Sequence, residues 1–440
     1  VPAHAWVVIG VLLASAPVAA QTPHRAVPDY DAREEPEADA EDALLWIPRI
    51  LTGPLYIVSE YLIRRPLIDL GHYLEEHRTI QDVMDFLTFG PNDSIQIVPT
   101  LFADFGFLPS VGFTGHWNDF LGSGNRLSAQ LTTFGPDWIS ARGALSVNVG
   151  NHVSVYATGG YLRRPDMLLG GELLHPPLTT NARYSIERSN AEVGYVLRYA
   201  RSSIGGSLLM QSASFGDTTY GSDPSIVTLA RQTGSTLPLG FAHGYVIGIL
   251  HVHAALDTRR PLGMPAGGVR IGGFGDLARS FTGLEDSRWF RIGGEALLAT
   301  DALGSRRVLS LGLDASAILP IGQSQIPFDQ SIDIGGLGPM PGFLPGQVRG
   351  TTAIALTVAY EWPIWVFLHA RIYAAVGNAF ARDFEGFALD RLRLSVGVGL
   401  HPTDITDQPF EAGFGIGTEA FGDGTQIASV RAFFGLRRDL

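Results

Sequence analysis

The chain has 440 residues, no cysteine and a net charge of −12, with 17% charged and 45% hydrophobic residues. Missing thiols exclude structural disulfides and thiolate metal sites, and the acidic balance argues against a nucleic-acid partner, which needs a basic face. Beyond the first 20 positions no apolar run is long enough to cross a bilayer as a helix, so the apolar content is dispersed rather than blocked.

Residues 1–20 read as a signal peptide. Trp6 to Ala16 is apolar, and Val18-Ala19-Ala20 before Gln21 places small side chains where a signal peptidase needs them, so cleavage is expected after Ala20. Residues 21–43 are rich in Pro, Asp and Glu, the composition of a disordered linker. In 44–91, Leu44, Ile47, Leu51, Leu55, Val58 and Leu62 recur at three- and four-residue steps. That spacing predicts an amphipathic helical segment, broken at Pro48 and Pro54 and ended near Pro66. A segment of this kind is expected to cover the periplasmic end of whatever follows.

From residue 92 to 440 the period becomes two. Leu309, Leu311, Leu313 and Ala315 alternate with Ser310, Gly312, Asp314 and Ser316, and Leu394, Val396, Val398 and Leu400 alternate with Arg393, Ser395, Gly397 and Gly399. The pattern predicts about sixteen strands, an even number as antiparallel closure requires: 93–104, 108–117, 125–134, 138–149, 152–163, 190–201, 203–213, 242–256, 266–277, 288–300, 306–318, 351–362, 366–377, 391–402, 409–420 and 426–436. Long connections are expected at 164–189, 214–241 and 319–350. Arg142, Arg291, Glu295, Asp314, Arg371, Arg393 and Arg431 all fall on the face opposite the apolar one. In a soluble sandwich that face meets bulk water, and in a membrane barrel it lines the lumen. The export signal, the unbroken alternation and the tryptophans near strand ends (Trp117, Trp138, Trp289, Trp362, Trp365) favour an all-β transmembrane antiparallel barrel.

Other clusters carry less chemistry. His251 and His253 share a strand face, but no third ligand accompanies them, so lumenal histidines satisfied by hydrogen bonds are expected, with no metal and no cofactor. Gly272-Gly273-Phe274-Gly275-Asp276 lacks βαβ surroundings and reads as bulge or turn glycine, not as a phosphate loop. Gly122-Ser123-Gly124 reads as turn chemistry without the strand–elbow–helix setting of a nucleophile, so no catalytic residue is expected.

Residues 334–380 resemble the signature region of the bacterial surface antigen barrels, the superfamily of outer-membrane protein insertases and two-partner-secretion pores. Gly335-Gly336 is followed by Gly342-Phe343, which matches the end of the family's Arg-Gly-aromatic tripeptide, then by Arg349-Gly350 and by Glu361-Trp362-Pro363 at the close of the next strand. Tyr373 to Phe380, with Gly377, is similar to the family's aromatic-x-Asp-x-Gly-x-x-Phe strand, and Asp257-Thr258-Arg259 is similar to an earlier Asp-Thr-Arg. The resemblance covers 257–436.

It implies residence in the bacterial outer membrane with lipid around the wall, and a lumenal loop around 331–350. It further implies a role in assembly, insertion or translocation, with unfolded outer-membrane protein clients or periplasmic partners. The segment ahead of the barrel lacks a strand–helix–helix–strand–strand pattern, which implies the branch without POTRA modules. Two positions depart from the family: Pro341 stands at the loop arginine and Ala375 at its aspartate partner. Losing one member of a buried ion pair costs about 3–5 kcal/mol whereas losing both is nearly neutral, so the paired loss fits the alignment. Arg349 is expected to be an ordinary solvated loop residue, the alternative being that it takes over by reaching Glu361 or another lumenal carboxylate. Gly397, Gly399, Gly413, Gly415 and Gly417 suggest a deformable wall beside a weak seam between first and last strands. The alternatives are a passive pore whose lumenal charges set selectivity, and a barrel-embedded lipid hydrolase.

Overall fold

Alternation of side chains resolves in the computed structural model into sixteen antiparallel strands: β1 (Ile95–Asp104), β2 (Ser110–Asn118), β3 (Arg126–Thr133), β4 (Ile139–Val149), β5 (Val153–Leu169), β6 (Ala182–Tyr199), β7 (Ser202–Asp217), β8 (Tyr245–Asp257), β9 (Gly268–Thr282), β10 (Arg288–Asp301), β11 (Val308–Pro320), β12 (Thr352–Trp365), β13 (Leu368–Phe380), β14 (Arg393–Pro402), β15 (Phe410–Thr418) and β16 (Ile427–Leu436). Each pairs with its sequence neighbours, and β16 returns to β1, so the sheet is a closed barrel. The structure describes residues 87–170, 181–260, 267–284, 286–301, 307–365, 368–402 and 410–436. The chain divides into units 1–67 and 68–440, and the barrel belongs to the second. The expected signal peptide 1–20, linker 21–43 and helical segment up to residue 86 lie outside the described residues. The last part of 44–91 contributes a two-residue strand, Thr88–Phe89, paired with Ile95 and Gln96 of β1.

The direction of the side chains decides what solvent the wall meets. Val111, Phe113, Leu131, Val193, Leu208, Val252, Ile271, Ile292, Leu311, Leu356, Val398, Phe414 and Val430 are all exposed, and they recur around the outer circumference. A soluble surface rarely carries a contiguous apolar patch beyond a few hundred Å². Thr114, Ser128, Ser140, Ser207, Ser310, Thr357, Ser395 and Ser429 are buried on the opposite face. Apolar outside and polar inside is the arrangement of a barrel in hydrocarbon. Leu311→Arg at mid-wall is expected to destabilise the barrel in lipid by about 2–4 kcal/mol, measured by denaturant unfolding in vesicles. An exposed leucine on a water-facing sheet would tolerate that change.

Connections separate into two ends. Those at 170–181, 218–244 and 321–351 are long, whereas 150–152, 200–201 and 366–367 at the other end are short. We call these the loop end and the turn end. The 218–244 connection contains one helix, α1 (Ile226–Thr233), whose start is capped by the Ser225 hydroxyl accepting from the Thr228 amide and whose end is closed by Gly234 in the left-handed region.

Three expectations are corrected. β5 and β6 run to Leu169 and from Ala182, so the long connection placed at 164–189 is much shorter. Trp138 and Trp289 do not sit in an interfacial belt: both are buried, Trp289 in the lumenal core and Trp138 donating its indole N–H to the Leu108 carbonyl at 3.3 Å. Trp117 does face outward and is exposed. Gly272 to Asp276 is neither bulge nor turn but continuous mid-strand register with β8 and β10. A Cβ at Gly272 would meet the Glu295 side chain at 2.9 Å, so the glycine makes room for a lumenal carboxylate.

Candidate functional site

The connection between β11 and β12 folds inward and crosses the lumen. Its first part seats on β6, β7 and β8. Phe328 packs edge-on against Tyr184 (5.1 Å) and on Phe215 (4.7 Å). The Asp329 carboxylate accepts from the Tyr245 hydroxyl at 2.5 and 2.6 Å and from Arg188 at 3.0 Å. A short ladder follows, Ile332 opposite Gly350 and Asp333 opposite Arg349, which closes the base of the loop. Asp333 ties the base to the rest by accepting from the amides of Gly335 (3.0 Å) and Gly346 (2.6 Å). Burial pushes its carboxyl above the usual aspartate range, against the pull of Arg349 and of those two amides. Gly335 and Gly336 lie within this turn, where the Gly336 amide donates to the Phe343 carbonyl at 2.9 Å.

The tip lands on the opposite wall. Gly342 donates its amide to Ser395 Oγ of β14 at 2.8 Å. A Cβ on Gly342 would also strike the Ile416 carbonyl of β15, so the backbone approach demands glycine. On the wall side, a Cβ at Gly415 would stand 2.9 Å from the Gly342 Cα, and one at Gly417 would stand 2.6 Å from the Phe343 ring. Phe343 and Met340 are fully buried there. The expectation of a deformable glycine wall is corrected: the missing side chains of Gly397 and Gly415 are replaced by the Tyr373 hydroxyl and by the loop itself. These glycines form a seat.

Arg431 on β16 is the largest fully buried side chain in the described residues, at 1% exposure. It forks onto Asp104 of β1, with Nε 3.0 Å from Oδ1 and the terminal nitrogen 2.8 Å from Oδ2. Its remaining nitrogen donates to two loop carbonyls, Gly336 at 2.8 Å and Pro341 at 3.3 Å. The Phe433 ring lies 4.1 Å below the guanidinium. Five guanidinium donors in a rigid fork suit this task, since one group can serve a carboxylate and two carbonyls at once. Pro341, where the resemblance leads one to expect an arginine, offers its carbonyl to Arg431 of the wall.

That ion pair spans the closing seam. Among the described residues, β16 and β1 share a ladder of three residue pairs, Phe433–Asp104, Phe434–Ala103 and Gly435–Phe102, extended by the Phe105 amide donating to the Ala432 carbonyl at 2.9 Å. β1 and β2 share eight pairs, and β15 and β16 share nine. Among the described residues, Ile97 to Leu101 of β1 pair on the β2 side only. Pro99 stands in the middle of that stretch, and proline within a strand is at home at an edge.

The other expected site residues are dispersed. Arg349 comes within 3.9 Å of Asp333 and does not reach Glu361, which instead faces Arg371 at 3.5 Å. Gly350 packs against the Phe380 backbone, and Gly377 against the Ile354 carbonyl, both without room for a side chain. Pro363 is half-buried at the turn end of β12. Asp257 accepts from Arg259 at 2.7 Å and from Arg201 at 3.2 Å. Arg393 pairs with Glu419 at 2.7 Å, and Arg142 is exposed on its strand. Arg291, Glu295 and Asp314 line a lumenal cavity of about 600 Å³ together with His251 and His253. His251 Nδ1 lies 2.6 Å from Asp276, which satisfies one of that histidine pair. Arg431 was legible as a lumenal charge, but its partner Asp104 and the loop's partner Ser395 were not singled out.

The fold is similar to that of BamA from Haemophilus ducreyi lacking POTRA domains 1–3, with a TM-score of 0.55 at 12% identity over 78% of this chain and 70% of that one. CdiB from Acinetobacter baumannii (TM-score 0.49, 13% identity, 78% of this chain) and CdiB from Escherichia coli (0.49, 12%, 79%) are also matched. The chain spans 59% and 63% of those two CdiB chains. At such identities the likeness is one of fold. No family model matches the sequence, and no curated protein matches it.

Proposed function

We propose that this chain is an outer-membrane barrel for protein assembly or translocation, working through the seam between β1 and β16. The observation that carries the reading is the closing ladder of three pairs among the described residues, bridged by Arg431 and Asp104 and tied to a loop across the lumen. In hydrocarbon each unsatisfied backbone group costs several kcal/mol, so an under-paired strand edge is a place where an incoming strand gains hydrogen bonds. Among the described residues, Ile97 to Leu101 offers such an edge. By this reading the turn end faces the periplasm, from which a client arrives.

The chain's lack of cysteine makes the test clean. Ala103 and Phe434 are register partners, so Ala103→Cys with Phe434→Cys brings two thiols within bridging distance. Reconstituted in vesicles and offered a urea-unfolded outer-membrane barrel, the oxidised protein is expected to lose the ability to accelerate client folding. Reduction is expected to restore it. Equal acceleration by the oxidised and reduced forms refutes the seam mechanism. A stable conductance with no effect on the client in either form identifies a passive pore instead.

A further inference from the structure

At the turn end of the lumen, three adjacent strands bring together a donor set that the assembly reading does not use. β13 and β14 form a hairpin in which His369 faces His401 directly. Glu361 of β12 faces Arg371, two residues from His369 and on the same side of the sheet. One ligand atom from each of Glu361, His369 and His401 lies within 4.8 Å of the other two. Glu361 Oε2 is 3.7 Å from His401 Nε2, and the two imidazole rings meet edge to face with centroids 5.7 Å apart.

We propose that Glu361, His369 and His401 form a binding site for one divalent transition-metal ion, with zinc as the best fit. Two imidazoles and one carboxylate suit zinc, cobalt, nickel or copper, whereas calcium and magnesium call for oxygen donors throughout. Tetrahedral zinc with bonds of about 2.0–2.2 Å holds its donors roughly 3.3–3.6 Å apart. The Glu361–His401 separation is already close to that figure, and the remaining distances close by side-chain rotation on a fixed ladder. The second oxygen of Glu361, Oε1, faces Arg371 Nε at 3.5 Å, which leaves Oε2 for the ion and fixes the carboxylate plane. Outer partners of this kind orient ligands at metal sites. Glu361 and His401 keep a quarter and a third of their side chains accessible, so an ion can reach them from the lumen. A bound ion would tie β12, β13 and β14 together at the turn end.

The proposal stands apart from the assembly reading and is tested without it. The full chain is purified in detergent without a polyhistidine tag, stripped with chelator, and titrated with zinc by calorimetry and with cobalt by visible absorption. One zinc per chain is expected, with a tetrahedral cobalt spectrum. His369→Ala with His401→Ala is expected to weaken binding by roughly 100-fold or more, and Glu361→Gln or Arg371→Gln by roughly 10–100-fold. His251→Ala with His253→Ala is expected to change nothing. Zinc is also expected to raise the thermal midpoint of the parent chain and not of the double variant, with heat-modified gel migration confirming that each variant is a folded barrel. Absence of stoichiometric binding, or binding lost with His251 and His253 but kept without His369 and His401, overturns the assignment.

Discussion

Arg431→Ala is expected to destabilise the barrel by about 3–5 kcal/mol, the cost of leaving one member of a buried ion pair without the other. Asp104 would remain in the seam as an uncompensated carboxylate, since both of its oxygens accept from Arg431. Two loop carbonyls would lose their donor in the same step. The companion variant separates these effects. Arg431→Met with Asp104→Leu removes both charges, so wall stability is expected to return to near the parent value. The loop still loses its staple in that variant, and its tip is expected to become accessible to protease. Denaturant unfolding in vesicles measures the first quantity and limited proteolysis within 333–348 the second. If the single alanine variant costs less than about 1 kcal/mol, as an exposed pair would, water reaches the pair and it is no staple.

The strand count was legible because a lipid-facing wall imposes its period on nearly every residue, and each expected strand overlaps an observed one. The failures fall where the wall rises beyond the apolar band. In β5, Arg163-Arg164-Pro165-Asp166 ends the hydropathy alternation, yet the ladder with β6 continues through a bulge between Arg164 and Met167. There the stabilising contacts are polar: Arg164 pairs with Asp166 at 2.6 Å and lies over Phe107 and Trp138, while Arg183 pairs with Asp223 at 2.8 Å. Hydropathy reports the membrane, and hydrogen bonding outlasts it.

The site was legible only in outline. Gly335, Gly336, Gly342 and Phe343 marked the lumenal loop, but the arginine that holds its carbonyls, Arg431, stands on the wall. A local motif cannot register that contact, because Asp104 and Arg431 are 327 residues apart and meet only when the barrel closes. Opposite charges of lumenal parity on the first and last strands were the available signal. The histidines were missed for the reverse reason. His251 and His253 are conspicuous in the sequence, whereas His369 and His401 become neighbours through hairpin register alone.

Gly342→Val separates the loop from the wall more sharply than any charge change. The added Cβ would meet the Ile416 carbonyl and lie 2.8 Å from Ser395 Oγ, and neither backbone nor a short hydroxyl can move far within the β14–β15 ladder. The tip must therefore lift, breaking the Gly342–Ser395 hydrogen bond and drawing Phe343 from its seat on Gly417. Overpacking of this kind costs about 1–3 kcal/mol, less than the Arg431 variant, and it falls on the loop because the sixteen-strand ladder is untouched. Planar-bilayer recording is expected to show a conductance several-fold above the parent, with thermal stability of the wall little changed. Asp329 and Tyr245 keep the other end of the loop anchored on β8, so the lumen opens beside β14 to β16 rather than throughout. A parent chain that already conducts as well as the variant would mean that the crossing loop leaves the bore open, and the coupling between loop and seam would lose its physical basis.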